Sequence, residues 1–409
     1  MRVALLTRAV FPLHDPGGME RSVYHLARQL HRRGVETVLY TRPATQPGSF
    51  PGEVVTVRYE DFRVGAHGRV LDRTLNYPRF ALRMGALVAD QVRAGRVDVV
   101  HAQGMAALGY ARRRAADSTL RAPLLLNPQG MEEHKTRGLK RLALTRLRRL
   151  SREAARLADR VIATDEVTKD EVPRFLGVDP SRVVVLPNGV DLDEIAEATP
   201  KHPRAVVQAL APTLGGSGPV LISVGRLEPY KGFGDVLEAL LGLQARAALP
   251  DGWAWLVIGD GTEKLPLQKR IAAWDQANPE RPVGPRVHFM GWIRDNPTLH
   301  ACYATADLFV HATHYEGSSI VTLEAMAHAL PVVATRAGGI PDKVRTGENG
   351  LLVPPADVEA LAAAIGSLAA DPARRRSMGE KSRERVARLF SWTAIAERTV
   401  EVYAEMLGR

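Results

Sequence analysis

Cysteine is almost missing from this chain: Cys302 stands alone among 409 residues. One thiol cannot close an internal disulfide, and such scarcity fits a protein of a reducing, cytoplasmic interior. A lone cysteine is more often a small core filler than a nucleophile. Long apolar runs are missing as well, and nothing approaches the ~18 residues that span a bilayer. Met1–Val10 is a short apolar stretch broken by Arg8 and followed by Pro12, His14 and Asp15. It lacks the length and cleavage site of a signal peptide and reads as a first strand. Aromatic residues make up only 6% and do not interleave with the basic segments, which counts against a surface that stacks nucleic-acid bases. The chain also has no G-x-G-x-x-G, no P-loop, no G-x-S-x-G, no H-E-x-x-H and no cysteine cluster. Those absences argue against nicotinamide enzymes, NTPases, serine hydrolases and structural zinc. Accordingly, neither a metal site nor a required cofactor is expected.

What is present is the composition of a soluble globular protein, 45% hydrophobic and 24% charged. The length exceeds what one core supports and suits two domains. The net charge of +10 is lopsided, with 32 Lys and Arg against 23 Asp and Glu in residues 1–200, and 23 against 22 in the remainder. His134–Arg160 alone carries ten of these cations and only Glu153 and Asp159 as acids. Leu139, Leu142, Leu147, Leu150, Ala154 and Leu157 recur there at helical spacing, predicting a basic amphipathic helix over 134–160. Such a helix is either a solvated surface helix with its stripe on the core, or a face that meets anionic lipid or a polyanionic acceptor.

Short β-branched runs alternate with amphipathic segments in both halves, the signature of parallel sheets with crossover helices. Strands are expected at 2–7, 35–40, 97–102, 124–127, 160–164 and 183–186, then at 220–224, 253–258, 287–290, 308–311, 332–334 and 351–353. Helices are expected at 20–33 and 83–94, among others. The linker falls in Asp193–Gly218, with Pro200, Pro203, Pro212 and a Gly-Gly-Ser-Gly run. The expectation is an α/β chain of two doubly wound, Rossmann-like domains, 1–198 and 199–388, facing a central cleft. A last helix, 389–409, would cross back to the first domain. Open parallel sheets bind ligands beyond the carboxyl ends of their strands, so that edge is where chemistry is sought.

The most informative stretch is His-Tyr-Glu316-Gly-Ser318-Ser319-Ile320-Val-Thr-Leu-Glu324. A turn of small residues running into a helix start leaves backbone N–H groups unpaired, which attracts a phosphate. Carboxylates eight positions apart could then meet a sugar and a ribose at opposite ends of one molecule; the plain alternative is an ordinary helix start with one surface glutamate and one half-buried glutamate. Arg226 and Lys231 follow the strand ending at Gly225, where they could neutralise a diphosphate without a metal or be ordinary surface cations. Gly259-Asp260-Gly261 ends the next strand and permits close backbone approach. In the first half, Gly17-Gly18 opens a helix, and His101 ends a strand as either a proton carrier or a packed histidine. Gln103, Gln129 and Glu132 offer polar groups to a hydroxylated acceptor. His311 and His314 are too loosely spaced to suggest a metal.

Assembled in this order, the pieces resemble the retaining nucleotide-sugar glycosyltransferases of family 4, which have the two-domain GT-B fold. The resemblance spans nearly the whole chain. It rests on Gly17-Gly18-Met-Glu20, Asp98-Val-Val-His101, Leu186-Pro-Asn188-Gly-Val-Asp191, Val224-Gly-Arg226 with Lys231-Gly232, Glu316-x7-Glu324, Ala337-Gly-Gly-Ile-Pro-Asp342 and Ser391-Trp392. It implies that Arg226 and Lys231 grip the donor diphosphate and that Glu316 contacts the donor sugar. The Ser318–Ile320 backbone would hold phosphate or sugar, Glu324 would accept from the ribose hydroxyls, and Gly18 would shape the donor–acceptor floor; Gly261, from its strand-end loop, is expected on the donor side as well. His101 lies beside the family's frequent active-site histidine. This chain departs from the pattern with His101-Ala-Gln103 and with Gln129-Gly130 in place of His-Gly. No glutamine acts as a base, and the family's same-face scheme instead lets the leaving phosphate take the acceptor proton.

The expectation is metal-independent transfer from a UDP- or GDP-sugar to a glycan, lipid-linked or small-molecule acceptor; the basic first domain favours an anionic or lipid-linked one, with envelope glycan or glycolipid synthesis as one setting. The 134–160 segment would supply any contact with the inner face of a membrane. Competing readings are a nucleotide-sugar epimerase, a glycogen-synthase-like enzyme and a non-catalytic sugar-binding protein.

Overall fold

The structure is a computed structural model that describes residues 1–14, 18–60, 72–128, 131, 134, 136 and 144–409. It divides into two compact units, Met1–Asn188 with Trp392–Arg409, and Gly189–Ser391.

In the first unit the strands are β1 (Arg2–Leu6), β2 (Glu36–Thr41), β3 (Glu53–Thr56), β4 (Val99–Gln103), β5 (Leu124–Asn127), β6 (Arg160–Ala163) and β7 (Val183–Val185). They form one sheet in the order β3-β2-β1-β4-β5-β6-β7, parallel throughout. β1 is the switch strand, with Leu5 in register with Leu39 on one side and His101 on the other. The runs are almost purely apolar because both faces are covered. Ala4 and Leu6 pack with Phe80, Met84 and Val88 of the helix Tyr77–Arg93. Val3 and Leu5 pack with Val23, Leu26 and Leu30 of the helix Gly18–Arg32 and with Trp392, Ile395 and Tyr403 of the helix Trp392–Met406.

The second unit has β8 (Val220–Val224), β9 (Ala254–Ile258), β10 (Val287–Gly291), β11 (Leu308–His311), β12 (Val332–Thr335) and β13 (Gly350–Val353). Their order is β10-β9-β8-β11-β12-β13, again all parallel, with β8 between β9 and β11. Side chains alternate between the two faces. Leu221 and Trp255 join Leu237, Leu240 and Ile365 on one side. Ile222 and Leu256 join Cys302, Tyr303, Leu323 and Met326 on the other. Cys302 is therefore the expected core filler, and burial pushes its thiol up to about 12.

Three expectations need correction. The basic helix does not run from 134 to 160: the described helix is Thr145–Leu157, Ala158 is extended, and Arg160 opens β6. Leu139 and Leu142 lie outside the described residues, while Leu147 and Ala154 are buried and Leu150 and Leu157 pack against the same core. The change of unit comes at Asn188/Gly189 and Ser391/Trp392 rather than at 198/199 and 388/389. Asp191 caps the helix Leu192–Ala198, whose Ile195 enters the second core, and Val190 pairs with Ser391. Finally, β3 was not expected at all. It is four residues at a sheet edge with Val54 exposed, so it carries no alternating burial pattern to read.

Candidate functional site

In the second unit every strand is parallel, so the loops after β8, β9, β11 and β12 leave the same edge. Backbone hydrogen bonds weld them there. Gly225 N–H donates to the Ile258 carbonyl at 3.0 Å, Leu227 to Asp260 at 2.9 Å, and His314 to Tyr230 at 2.8 Å. Glycine is demanded by this crowding at several positions. A Cβ at Gly232, where φ is +70°, would lie 2.0 Å from the Ala312 carbonyl oxygen, and one at Gly261 would lie 2.4 Å from that of Leu227.

Gly232 lets the chain turn from Lys231 straight into the helix Phe233–Ala245, which leaves Lys231 beside the loop after β11. Lys231 Nζ donates to Glu316 Oε2 at 2.7 Å, and His311 Nε2 donates to the same oxygen at 3.0 Å. All three side chains are largely out of water, 15%, 14% and 3% exposed for Lys231, Glu316 and His311. Burial alone would raise the Glu316 carboxyl, but the hydrogen bonds from His311 and Lys231 outweigh it and hold the group down at about 2. Glu316 is thus a fixed anion with two donors on one oxygen. Arg226 is exposed and donates to the Tyr230 hydroxyl at 2.6 Å, while Lys231 Nζ sits 5.5 Å from the Tyr230 ring centre. Among the described residues Arg226 has no ion pair. The cations are therefore linked through Tyr230 but are electrostatically unequal.

Ser319 precedes the helix Ile320–Ala327, and its hydroxyl accepts from Thr322 Oγ1 at 2.9 Å instead of capping the backbone. The neighbouring Ser318 hydroxyl oxygen is buried and has no hydrogen-bond partner among the described residues. That helix start consequently has polar capacity that its own side chains do not use. Glu324, one helical turn further on, accepts from the Tyr303 hydroxyl at 3.0 Å. The two glutamates of the motif are held from different directions, one by the loop after β8 and one by the helix Asn296–Thr305. His314 turns to Asp235 at 2.6 Å, so it and His311 do not converge.

In the first unit, His101 in β4 is buried and shares a 2.7 Å hydrogen bond through Nδ1 with the Tyr403 hydroxyl; burial lowers its ring to about 4. These are the surroundings of a packed, neutral histidine held by the C-terminal helix. Gln103, also buried, ends β4 with Nε2 3.4 Å from His101 Nε2. His101, Gln103, Asn127 and Asn188 line a cavity of about 30 Å³. Gly18 is exposed at the start of its helix, where an added Cβ would meet no described residue within 4 Å. Gln129 and Glu132 lie outside the described residues. The sequence did not single out Tyr230, His311 or Tyr303 as partners of the motif residues; a tyrosine next to Lys231 and a histidine ending a strand were the available signals.

Two family models match. The one described as Glycosyltransferase Family 4 covers residues 16–194, and the one described as Glycosyl transferases group 1 covers residues 218–371. Among curated relatives, the α-maltose-1-phosphate synthase of Mycolicibacterium smegmatis is 35% identical over 63% of this chain and 66% of its own length. The D-inositol 3-phosphate glycosyltransferase of Kineococcus radiotolerans is 32% identical over 98% of this chain and 94% of its own. Among solved structures, Anabaena HepE in complex with UDP-glucose aligns with a TM-score of 0.63 at 20% identity, covering 99% of this chain and all of that one. Two parallel α/β domains of the GT-B type, matched by sequence along nearly their whole length, place the chain in family 4 of the glycosyltransferases.

Proposed function

We propose that the chain moves a sugar, with retention of anomeric configuration and without a metal ion, from a nucleoside diphosphate sugar to an acceptor hydroxyl. The observation that carries this reading is the set Lys231, Glu316 and His311 at the carboxyl edge of the second sheet, with Arg226 beside it. Arg226 and Lys231 hold the diphosphate and take up the charge that develops as it leaves. Glu316, locked as an anion, accepts from hydroxyls of the donor sugar, and the backbone of Ser318, Ser319 and Ile320 donates to phosphate or sugar oxygens. Glu324 accepts from the ribose. Gly261 and Gly18 leave room for close approach; at Gly18 no atom of the described residues occupies the space a side chain would fill, which supports a role towards ligand.

The anomeric carbon–phosphate oxygen bond breaks while the acceptor oxygen bonds the same carbon on the same face, and the acceptor proton passes to the departing phosphate. That route needs no protein base, in keeping with His101 being buried and neutral. UDP or GDP is the expected nucleotide; HepE, whose structure holds UDP-glucose, supports the first. Glycan, lipid-linked and small-molecule acceptors remain the candidate class. Arg146, Arg149 and Arg156 are exposed on the helix Thr145–Leu157 and would draw an anionic acceptor or the inner face of a membrane.

The test is a panel of nucleotide sugars with EDTA present, read first by thermal shift and then by nucleotide release and the anomeric configuration of the product. Stabilisation by one donor, EDTA-insensitive turnover and a retained anomer are expected. No shift with any donor, or donor conversion without an acceptor, would overturn the reading. Arg226→Ala is expected to lower kcat/KM on the order of 10-fold or more, as the loss of a charge-assisted hydrogen bond should. A change within twofold removes Arg226 from the phosphate site.

A further inference from the structure

Behind Glu324 lies a buried aromatic cluster that the proposed chemistry does not use. Tyr303, on the helix Asn296–Thr305, is fully buried, and its hydroxyl ends 3.0 Å from Glu324 Oε2. The His328 ring stacks on Tyr303 with centroids 5.5 Å apart and planes 10° from parallel. His300 Nδ1 lies 3.0 Å from His328 Nε2, so the two imidazoles share one hydrogen bond. Phe309 of β11 closes the remaining side of Tyr303 at 6.2 Å between ring centres.

Every member of the cluster is fixed by the next. Burial raises the Tyr303 phenol well above its ordinary range, so it stays protonated and donates. Burial likewise lowers His328 to about 3 and brings His300 below its ordinary value. Near neutral pH the pair is therefore uncharged, one ring donating to the other. Glu324 itself has a flexible side chain on a helix of only eight residues. Ordering a free glutamate costs rotamer entropy. A hydrogen bond from a phenol that cannot move lifts much of that cost from the binding step, because the carboxylate is already held by Tyr303.

We propose that Tyr303, braced by the His300–His328 pair, is a positioning residue that holds Glu324 in the rotamer that receives the ribose hydroxyls of the donor. The proposal rests on the ribose role given to Glu324 above. It predicts an effect on donor binding and not on the chemical step, since Tyr303 does not touch the reacting atoms.

The experiment measures binding by calorimetry, with whichever of UDP and GDP the unmodified enzyme binds more tightly and with the 2′,3′-dideoxy form of that nucleotide. Tyr303→Phe, which removes only the hydroxyl, should weaken the ribonucleotide 5- to 10-fold and leave the dideoxy nucleotide within twofold. Donor KM should rise by the same factor with kcat within twofold, a split that general loosening of the fold would not give. In a Glu324→Gln background, Tyr303→Phe should add nothing. His328→Leu, which takes away the stacked ring, should show the same selectivity for the ribonucleotide at a smaller factor; it also stands in if Tyr303→Phe fails to fold. Ribonucleotide affinity within twofold of the unmodified enzyme in a folded Tyr303→Phe overturns the positioning role alone. Equal losses for the two nucleotides in Glu324→Gln would instead overturn the ribose assignment, and this proposal with it.

Discussion

Replacing Glu316 by Gln removes a charge while keeping the shape, and the structure fixes what should follow. One oxygen of Glu316 receives Lys231 at 2.7 Å and His311 at 3.0 Å. Against the opposing effect of burial, these donors take the carboxyl from 4.5 to about 2. At about 1.4 kcal/mol per pKa unit, the folded state prefers the ionised form by roughly 3 kcal/mol. The folded pKa is the lower one, so the unfolded chain takes up this proton first as pH falls. The stabilisation is therefore complete above 4.5 and drains away as pH drops towards 2. Glu316→Gln should lower the unfolding free energy of the second unit by about 3 kcal/mol at pH 7, and by roughly half that at pH 3. Urea titration followed by tryptophan fluorescence reads the right unit, because Trp253, Trp255, Trp274 and Trp292 belong to it and only Trp392 to the other. A loss below about 1 kcal/mol at pH 7, or the same loss at both pH values, would refute the electrostatic account.

Two glycines should behave oppositely. Gly232→Ala places a Cβ 2.0 Å from a backbone oxygen at a φ of +70° and should lower Tm by several degrees, costing on the order of 1–3 kcal/mol. Gly18→Ala meets open space and should leave Tm unchanged while reducing kcat/KM, if a ligand fills that space. Tyr403→Phe leaves the buried His101 Nδ1 without its 2.7 Å partner and should cost the first unit about 1–3 kcal/mol in a denaturation followed by Trp392. His101 has a folded pKa of about 4, below the ordinary 6.5, so the unfolded chain protonates first and the enzyme should lose stability as pH falls from 6.5 towards 4.

The fold was legible because strands buried on both faces read as apolar runs whatever their neighbours, and three of them, at Leu124–Asn127, Val220–Val224 and Leu308–His311, fall where expected to the residue. The exposed edge strand Glu53–Thr56 has no such signal. The motif residues were legible as chemical types, yet their partners were not. Lys231 is 85 positions from Glu316, and Tyr303 is 21 from Glu324. What joins the first pair is sheet order: β11 lies beside β8, with Leu308 in register with Leu221, so the loops after those strands meet; the second pair meets because the helices before and after β11 pack on the same face of the sheet. His101 shows the converse, since a strand-end histidine is ambiguous until the C-terminal helix brings Tyr403 to it.

That same pairing decides how unequal the two cations are. Lys231 is already committed to Glu316, whereas Arg226 is exposed and, among the described residues, has no ion pair. On the proposed donor role, losing Arg226 takes one attractive charge from an incoming diphosphate. Losing Lys231 takes one as well, and leaves the Glu316 carboxylate with its ion pair gone and only the hydrogen bonds from His311 and the Gly317 N–H upon it. Lys231→Met should therefore weaken UDP or GDP binding more than Arg226→Met does. Adding Glu316→Gln to Lys231→Met should recover part of the loss, because the uncovered anion is neutralised. Calorimetric affinities for the two single variants, Glu316→Gln and the double variant form a mutant cycle with this sign of coupling. If the losses from Lys231→Met and Glu316→Gln simply add, the carboxylate does not face the diphosphate, and Glu316 belongs to the framework of the loop and not to the donor site.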